Sequence, residues 1–331
     1  MQPSHRQPDD AVLEVAGLNV TFGSAHGPVH AVSDVSFAIG RGEVLGLVGE
    51  SGSGKSTVAH AVLRLLPPSA RCTGAVSFRG QDVLALSGAG LRKYRWEGVS
   101  LVMQGAMNAL NPVSTIESQI VDVIRAHRHV SRREARASVP ELLELVSIDP
   151  ARRGSYPHEL SGGMRQRCVI AIALALRPDL VVMDEPTTAL DVVVQRSIMD
   201  EIDRLREQLG FSVLLISHDL DLVAERASRL AIMYAGRLVE TGPAAEVVTS
   251  PRHPYTEALL ASTLPVDGSE DRVTELPGRP PDLTTPPAGC AFFPRCTKAQ
   301  PGHDKELPLL RAVGPGHEVA CHLYEQTEVV T

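Results

Sequence analysis

Aromatic residues are scarce in this 331-residue sequence: six Phe, five Tyr and one Trp make up 4% of it. So few flat side chains leave little for the stacking platforms that hold single-stranded nucleic acid. Surplus positive charge is missing as well. With 39 acidic against 32 basic residues, the net charge of -7 draws no phosphate backbone, and nucleic acid is not an expected partner. Long apolar runs are also absent, since none approaches the roughly 18 residues of a membrane span. The opening MQPSHRQPDD has no apolar stretch of the secretory kind. The expectation is a cytoplasmic chain that is able to dock on a membrane protein. Five cysteines are an odd number, and Cys72 and Cys168 stand far from the other three, so no disulfide framework is expected.

What the chain has is 43% hydrophobic residues, enough for a buried core in one large domain or two ordinary ones. Apolar strand-like runs alternate with amphipathic helical patterns: EVLGLVG then STVAHAVLRLL, DLVVMDE then VVVQRSIMDEIDRL, SVLLISHD then LDLVAERA. That alternation predicts a mostly parallel sheet covered by helices. Residues 11–39 read instead as short alternating strands around Gly and Pro turns, a small antiparallel layer. Residues 115–176 read as mainly helical, with Pro140 at a helix start and SYPHELSGG as a loop. Half of the 24 prolines lie from Pro251 onward. This places a boundary near residue 250, giving domains 11–250 and 251–331.

GESGSGKST, Gly49 to Thr57, fits G-x-x-x-x-G-K-[ST] between a strand and a helix. In such a loop Gly49, Gly52 and Gly54 turn the backbone tightly, so that N–H groups from Gly49, Glu50, Ser51, Gly52, Ser53 and Gly54 face phosphate oxygens. Lys55 then reaches the β- and γ-phosphates, Ser56 offers a hydroxyl to Mg2+, and Thr57 faces the α-phosphate. A glycine-rich turn without a ligand leaves Lys55 unexplained. Further on, LVVMDE puts Asp184 and Glu185 at the carboxyl end of an apolar strand, the edge where parallel sheets bind ligands. Asp184 suits Mg2+ through a water, and Glu185 suits orienting or deprotonating the attacking water. His218 follows the apolar strand VLLIS and is a candidate for the γ-phosphate, although a lone histidine there is more often a satisfied loop residue. Ser161, Gly162 and Gly163 expose N–H groups where an apolar helix begins, which makes a second anion site.

LSGGMRQR, Leu160 to Arg167, resembles the signature of ABC-type ATPases. With it stand Gln104 for the Q-loop, Ala189-Leu190-Asp191 for the D-loop and His218 for the switch histidine, while Phe22 lies where the family stacks an aromatic on adenine. The resemblance implies an ABC-type P-loop NTPase fold: a mostly parallel central sheet, a small antiparallel β layer, a helical signature subdomain and a Pro/Cys-rich C-terminal extension. It implies ATP and Mg2+, with Gln104 joining Ser56 and Asp184 around the metal. Because the signature faces a partner's nucleotide, it also implies a head-to-tail pair with a second ABC ATPase subunit, like or unlike.

Within that family, GAMNALNPV at 105–113, SYPHELSGGMRQR at 155–167, HPYTEALLAS at 253–262 and GCAFFPRC at 289–296 resemble ATPase subunits of oligopeptide and dipeptide importers. Nickel or oligosaccharide import is the alternative cargo. A soluble ABC protein of DNA repair or translation is the alternative class, and it is disfavoured because the chain has one cassette and no long heptad run. The implied partners are two membrane permease subunits and, indirectly, an extracytoplasmic solute-binding protein. The implied place is peripheral, on the cytoplasmic face of the inner membrane. Relatives often carry four cysteines in the tail, some resembling iron-sulfur ligands, whereas here His303 joins Cys290, Cys296 and Cys321. An iron-sulfur cluster, Zn, or free thiols all remain open.

Overall fold

A computed structural model describes residues 11–103, 105, 109–188, 190–262, 276 and 278–324. In chain order the elements are β1 (Ala11–Ser24), β2 (Gly27–Gly40), β3 (Val44–Val48), α1 (Lys55–Val62), β4 (Ala70–Phe78), β5 (Gln81–Asp82), α2 (Gly88–Lys93) and β6 (Val99–Val102). Next come α3 (Ile116–His127), α4 (Arg132–Ala137), α5 (Val139–Leu145), α6 (Gly162–Leu174), β7 (Leu180–Asp184), α7 (Val192–Leu209), β8 (Ser212–Ser217), α8 (Leu220–Ala224) and β9 (Arg229–Tyr234). The last are β10 (Arg237–Pro243), α9 (Ala244–Thr249), α10 (Pro254–Ala261), β11 (Arg311–Gly314) and β12 (His317–Val319). The chain is mixed α/β, with one mostly parallel sheet and one antiparallel sheet. It divides into two compact units, residues up to 39 with 44–84 and 215 onward, and residues 40–43 with 85–214.

In the first unit the antiparallel sheet runs β2-β1-β4-β5. Its strands are not the short ones expected, because β1 and β2 are 14 residues each. The glycines that suggested turns sit within the strands: Gly17 takes a left-handed φ of 56° where the β1–β4 register shifts between Ala16 and Asn19. Such a bulge lets a strand continue rather than end. The other sheet of this unit runs β11-β12-β10-β9-β3, with β3 and β9 parallel. All five residues of β3 are buried, as suits a strand covered on both faces.

The proline-rich tail has a core that the sequence reading did not credit. β12 pairs with β10, matching Glu240 to Val319 and Thr241 to Glu318, and β11 pairs with β12. Phe292, 3% exposed, packs with Tyr234 and Tyr255 at ring distances of 5.3 and 5.4 Å. The buried Glu240 carboxylate accepts the N–H groups of Arg252 (2.7 Å) and His253 (2.9 Å), and His317 Nε2 lies 2.8 Å away. These contacts make the tail compact without any metal.

The second unit is mainly helical around the parallel pair β6 and β7. Side chains cap its helices: Thr115 accepts from Ser118 N at α3, Ser161 from Met164 N at α6, and Asp191 from Val194 N at α7. Pro140 stands in the first turn of α5 as expected, and Gly210 closes α7 in the left-handed conformation. The expected loop SYPHELSGG contains a 3-10 turn, Pro157–Glu159.

His253 caps α10, its Nδ1 accepting from Tyr255 N at 3.0 Å. Burial pushes its pKa from 6.5 down to about 3, so it stays neutral and serves as an acceptor. A depressed pKa contributes stability that is complete above about 6.5 and is lost as pH falls toward about 3. His253→Asn keeps a capping acceptor without the titration. Melting temperatures between pH 7.5 and 5 are therefore expected to fall less in His253→Asn than in the parent, and equal falls would show that another group controls acid stability.

Candidate functional site

β3 leads straight into the loop Gly49–Gly54, and α1 opens at Lys55. Two of the glycines are forced by crowding. A Cβ on Gly49 would come 2.1 Å from Met233 O, and one on Gly54, at φ 103°, would come 2.4 Å from Ala31 O. Gly54 is also the N-cap of α1 and offers no side-chain acceptor to the first turn. Ser53 O accepts from Gly236 N at 3.0 Å, and Gly236 O accepts from Ser33 N at 2.8 Å, tying the loop to the β9–β10 turn.

Lys55 is buried, and its ammonium donates to Gly49 O (2.6 Å), Glu50 O (2.8 Å) and Ser53 Oγ (3.3 Å). The loop is thus closed around a cation at the start of a helix whose first turn has no side-chain cap, a donor set that fits a polyphosphate. Ser51 and Gly52 are exposed, and Ser56 and Thr57 are half-buried in the first turn of α1. In the same unit, Phe22 is half-buried near the end of β1, opposite Ala70 of β4, and His218 is exposed directly after β8.

In the second unit Asp184 ends β7 and is 6% exposed. Glu185 follows with φ 47°, a left-handed conformation that costs an L-residue about 1 kcal/mol. Its carboxylate accepts from Thr188 Oγ1 at 3.0 Å. The Ser56 hydroxyl and the Asp184 carboxylate are, each by itself, hard oxygen donors of the kind Mg2+ prefers.

Comparison with known proteins agrees with this chemistry. Residues 32–188 match the family described as ABC transporter, and residues 239–302 match the oligopeptide/dipeptide transporter C-terminal region. A Brucella abortus (strain 2308) protein, provisionally named a peptide import ATP-binding protein, is 47% identical over 306 residues, 92% of each chain. The chain belongs to the ABC transporter ATP-binding family. A Sinorhizobium fredii (strain NBRC 101917 / NGR234) relative, with the provisional name peptide ABC transporter ATP-binding protein, is 43% identical over 326 residues, 97% of each chain. Among solved structures, cbiO1 from Clostridium perfringens, part of the ABC transporter complex cbiONQ, superposes with a TM-score of 0.64 at 27% identity, over 73% of this chain and 92% of that one. The dimeric ATP-binding cassette MJ0796 gives 0.62 at 28% identity, over 70% and 98%.

In this cassette ATPase the signature Ser161 is the N-cap of α6, with Gly162 and Gly163 in its first turn. A Cβ on Gly163 would press on Val194 Cγ1 at 3.0 Å. Arg167 of the same motif pairs with Glu201 and donates to Ser197 Oγ at 3.0 Å. Asp191 is the N-cap of α7, so its carboxylate already has a structural task. Gln104 and Ala189 lie outside the described residues.

Cys290, Cys296, Cys321 and His303 line one cavity of the first unit, together with His322, which the sequence reading overlooked although it adjoins Cys321. His303 and His322 stack at 4.8 Å. Burial raises the thiol pKa values of Cys290 and Cys321, the latter to about 11, with neighbouring sulfurs adding to the rise. Among the described residues no three His, Cys, Asp or Glu side chains stand where they hold one metal ion. The four expected ligands share a cavity, then, but not a coordinating arrangement. Cys168 is fully buried and protonated, its pKa pushed up to about 12 by burial, as a core residue should be.

Sequence reasoning also passed over Tyr255 and Arg295. Both contact Glu50: its N–H donates to Tyr255 Oη at 2.8 Å, and its carboxylate takes two bonds from Arg295. Both lie inside segments that had served only as subfamily marks, and a contact spanning 245 residues leaves no periodic trace.

Glu185→Gly removes the strain at φ 47°, which is worth about 1 kcal/mol or a rise of roughly 2–4 °C in melting temperature. Thermal unfolding of both proteins checks this, and a lower midpoint in the variant would mean that the Thr188 bond outweighs the strain.

Proposed function

We propose that this cassette ATPase binds ATP with Mg2+ at Gly49–Thr57, hydrolyses it, and so energises an importer of di- or oligopeptides. The phosphate loop closed around the buried Lys55 carries the ATPase part of this reading. The peptide part draws support from the C-terminal match and from the provisional names of the Brucella and Sinorhizobium relatives. Bound ATP supplies the γ-phosphoryl group, and Mg2+ neutralises charge on it. Lys55 and the loop N–H groups other than those of Glu50 and Ser53, which donate to Tyr255 Oη and Glu50 O, hold the phosphates, while Ser56, Asp184 and Gln104 hold the metal. Glu185 orients and deprotonates the attacking water, with His218 contacting the γ-phosphate and Phe22 stacking on the base.

Ser161, Gly162, Gly163 and Asp191 serve the nucleotide of a second cassette subunit, like or unlike. Val192 and Val193, 68% and 77% exposed beside Asp191, suit a surface that a partner covers. The dimer of MJ0796 reported with ADP and Pi is the related arrangement. Residues 11–250 form the ATPase domain and 251–331 the extension. Two permease subunits and a solute-binding protein complete the importer. Among the described residues no helix is long and apolar enough to cross a membrane, which suits peripheral attachment at the cytoplasmic face.

Glu185→Gln is expected to keep ATP affinity and to lower turnover in the assembled transporter at least about 100-fold, since it removes the base and leaves the phosphate cradle. Parent-like turnover would reassign the base.

A second reading concerns the tail, where three thiols and two imidazoles share one cavity. We propose that Cys290, Cys296, Cys321 and His303 take up a soft metal, as an iron-sulfur cluster or zinc. Uptake has to release the protons that burial holds on the Cys290 and Cys321 thiols. Elemental analysis of anaerobically purified protein is expected to find iron or zinc in the parent and neither in a Cys290→Ser/Cys296→Ser variant. Metal-free parent protein would leave the cysteines as free thiols.

A further inference from the structure

Within the first unit the tail reaches back to Glu50 of the phosphate loop and engages both its N–H and its carboxylate. Glu50 N–H donates to Tyr255 Oη at 2.8 Å. Glu50 O accepts from Lys55 Nζ at 2.8 Å and from Ser53 N at 3.1 Å. The Glu50 carboxylate accepts two bonds from Arg295, Nη2 to Oε1 at 2.8 Å and Nη1 to Oε2 at 2.9 Å. Arg295 is itself fixed: its side chain is 5% exposed, Nη1 also donates to Tyr234 Oη at 3.2 Å, and its guanidinium lies 5.7 and 5.8 Å from the Tyr234 and Phe292 ring centres. Tyr255 is fully buried and packs 4.6 Å from Tyr234. The hydrogen bond to Glu50 is the chief reason that the Arg295 guanidinium holds its proton more firmly than usual.

A loop that receives a polyphosphate is a poor place for an anion. Glu50 nevertheless puts a carboxylate there, 22% exposed, and a two-pronged guanidinium neutralises it. Without that partner the carboxylate is free to turn on Lys55, the one side-chain cation of the loop, and to repel the incoming phosphates. Without the Tyr255 hydroxyl, the Glu50 N–H loses its acceptor and the Gly49–Glu50 peptide, which presents Gly49 O to Lys55 at 2.6 Å, loses its anchor. We propose that Arg295 and Tyr255 are positioning residues for the nucleotide reaction: they hold Glu50, and through it the seat of Lys55, so that ATP affinity is set from the C-terminal extension. Neither touches the phosphates. The inference rests on the reading of Gly49–Thr57 as the ATP site.

The test uses the full-length chain for ATP affinity and the assembled transporter for kcat and KM. Lys55→Ala is the control for the underlying reading and is expected to lose ATP binding. Arg295→Gln is expected to weaken ATP binding and raise KM about ten-fold, the cost of unpairing one charge-assisted contact, with a smaller change in kcat. Glu50→Gln/Arg295→Gln, which removes both charges, is expected to recover affinity to within about three-fold of the parent, and Arg295→Lys to fall between. A merely structural Arg295 would show no such recovery. Tyr255→Phe keeps the ring and removes one hydroxyl, so it decides the matter if Arg295→Gln does not fold; its expected loss of affinity is about three-fold or more. If Lys55→Ala loses ATP while Arg295→Gln and Tyr255→Phe bind it like the parent, the positioning role is overturned and the ATP site stands. If Lys55→Ala binds like the parent, the site reading falls and takes the inference with it.

Discussion

The closeness of two backbones at the phosphate loop is the constraint on which the rest depends. Met233 O and Ala31 O come so near the loop that Gly49 and Gly54 have no room for a Cβ. That approach lets the β9–β10 turn and the start of β2 brace the loop through Ser53, Gly236 and Ser33. It also lets Lys55 fold back onto Gly49 O and Glu50 O instead of extending into solvent. Binding energy for an anion then comes from a cradle already shaped, with little conformational entropy left to lose on ligation.

The second unit treats its polar residues differently. Ser161 and Asp191 cap α6 and α7, and each side chain accepts from an N–H of its own helix. A residue with that task is held in one rotamer by its own helix. Glu185, directly after a buried strand, has its backbone held in an unfavourable left-handed conformation, as do Trp96, Ser147 and Arg177 of the same unit. Strain of that kind persists only where surrounding packing outweighs it, and the fully buried β7 supplies that packing.

The C-terminal extension shows how a proline-rich segment becomes ordered without a helical core. Three buried aromatic rings, a buried carboxylate with backbone donors and a short antiparallel pairing do the work that length and periodicity do elsewhere. The cysteines line a cavity shared with His303 and His322, beside a fold held by these other contacts.

The sequence by itself determined the parts whose chemistry is local. Gly49 to Thr57 reads as a tight turn between a strand and a helix because its glycines, lysine and serine are spaced for one, and DLVVMDE reads as a buried strand with acids at its end because apolar continuity and charge are written consecutively. The length of β1 and β2 was misread because a glycine inside a bulge and a glycine ending a strand look alike in sequence. Only the tertiary structure decided that Glu50 is held by Tyr255 and Arg295, that His253 is a buried neutral cap, and that His322 joins the cysteine cavity. Those contacts join residues up to 245 positions apart, and their partners are chosen by which side chains the sheet and the aromatic cluster bring to one place, not by any spacing along the chain.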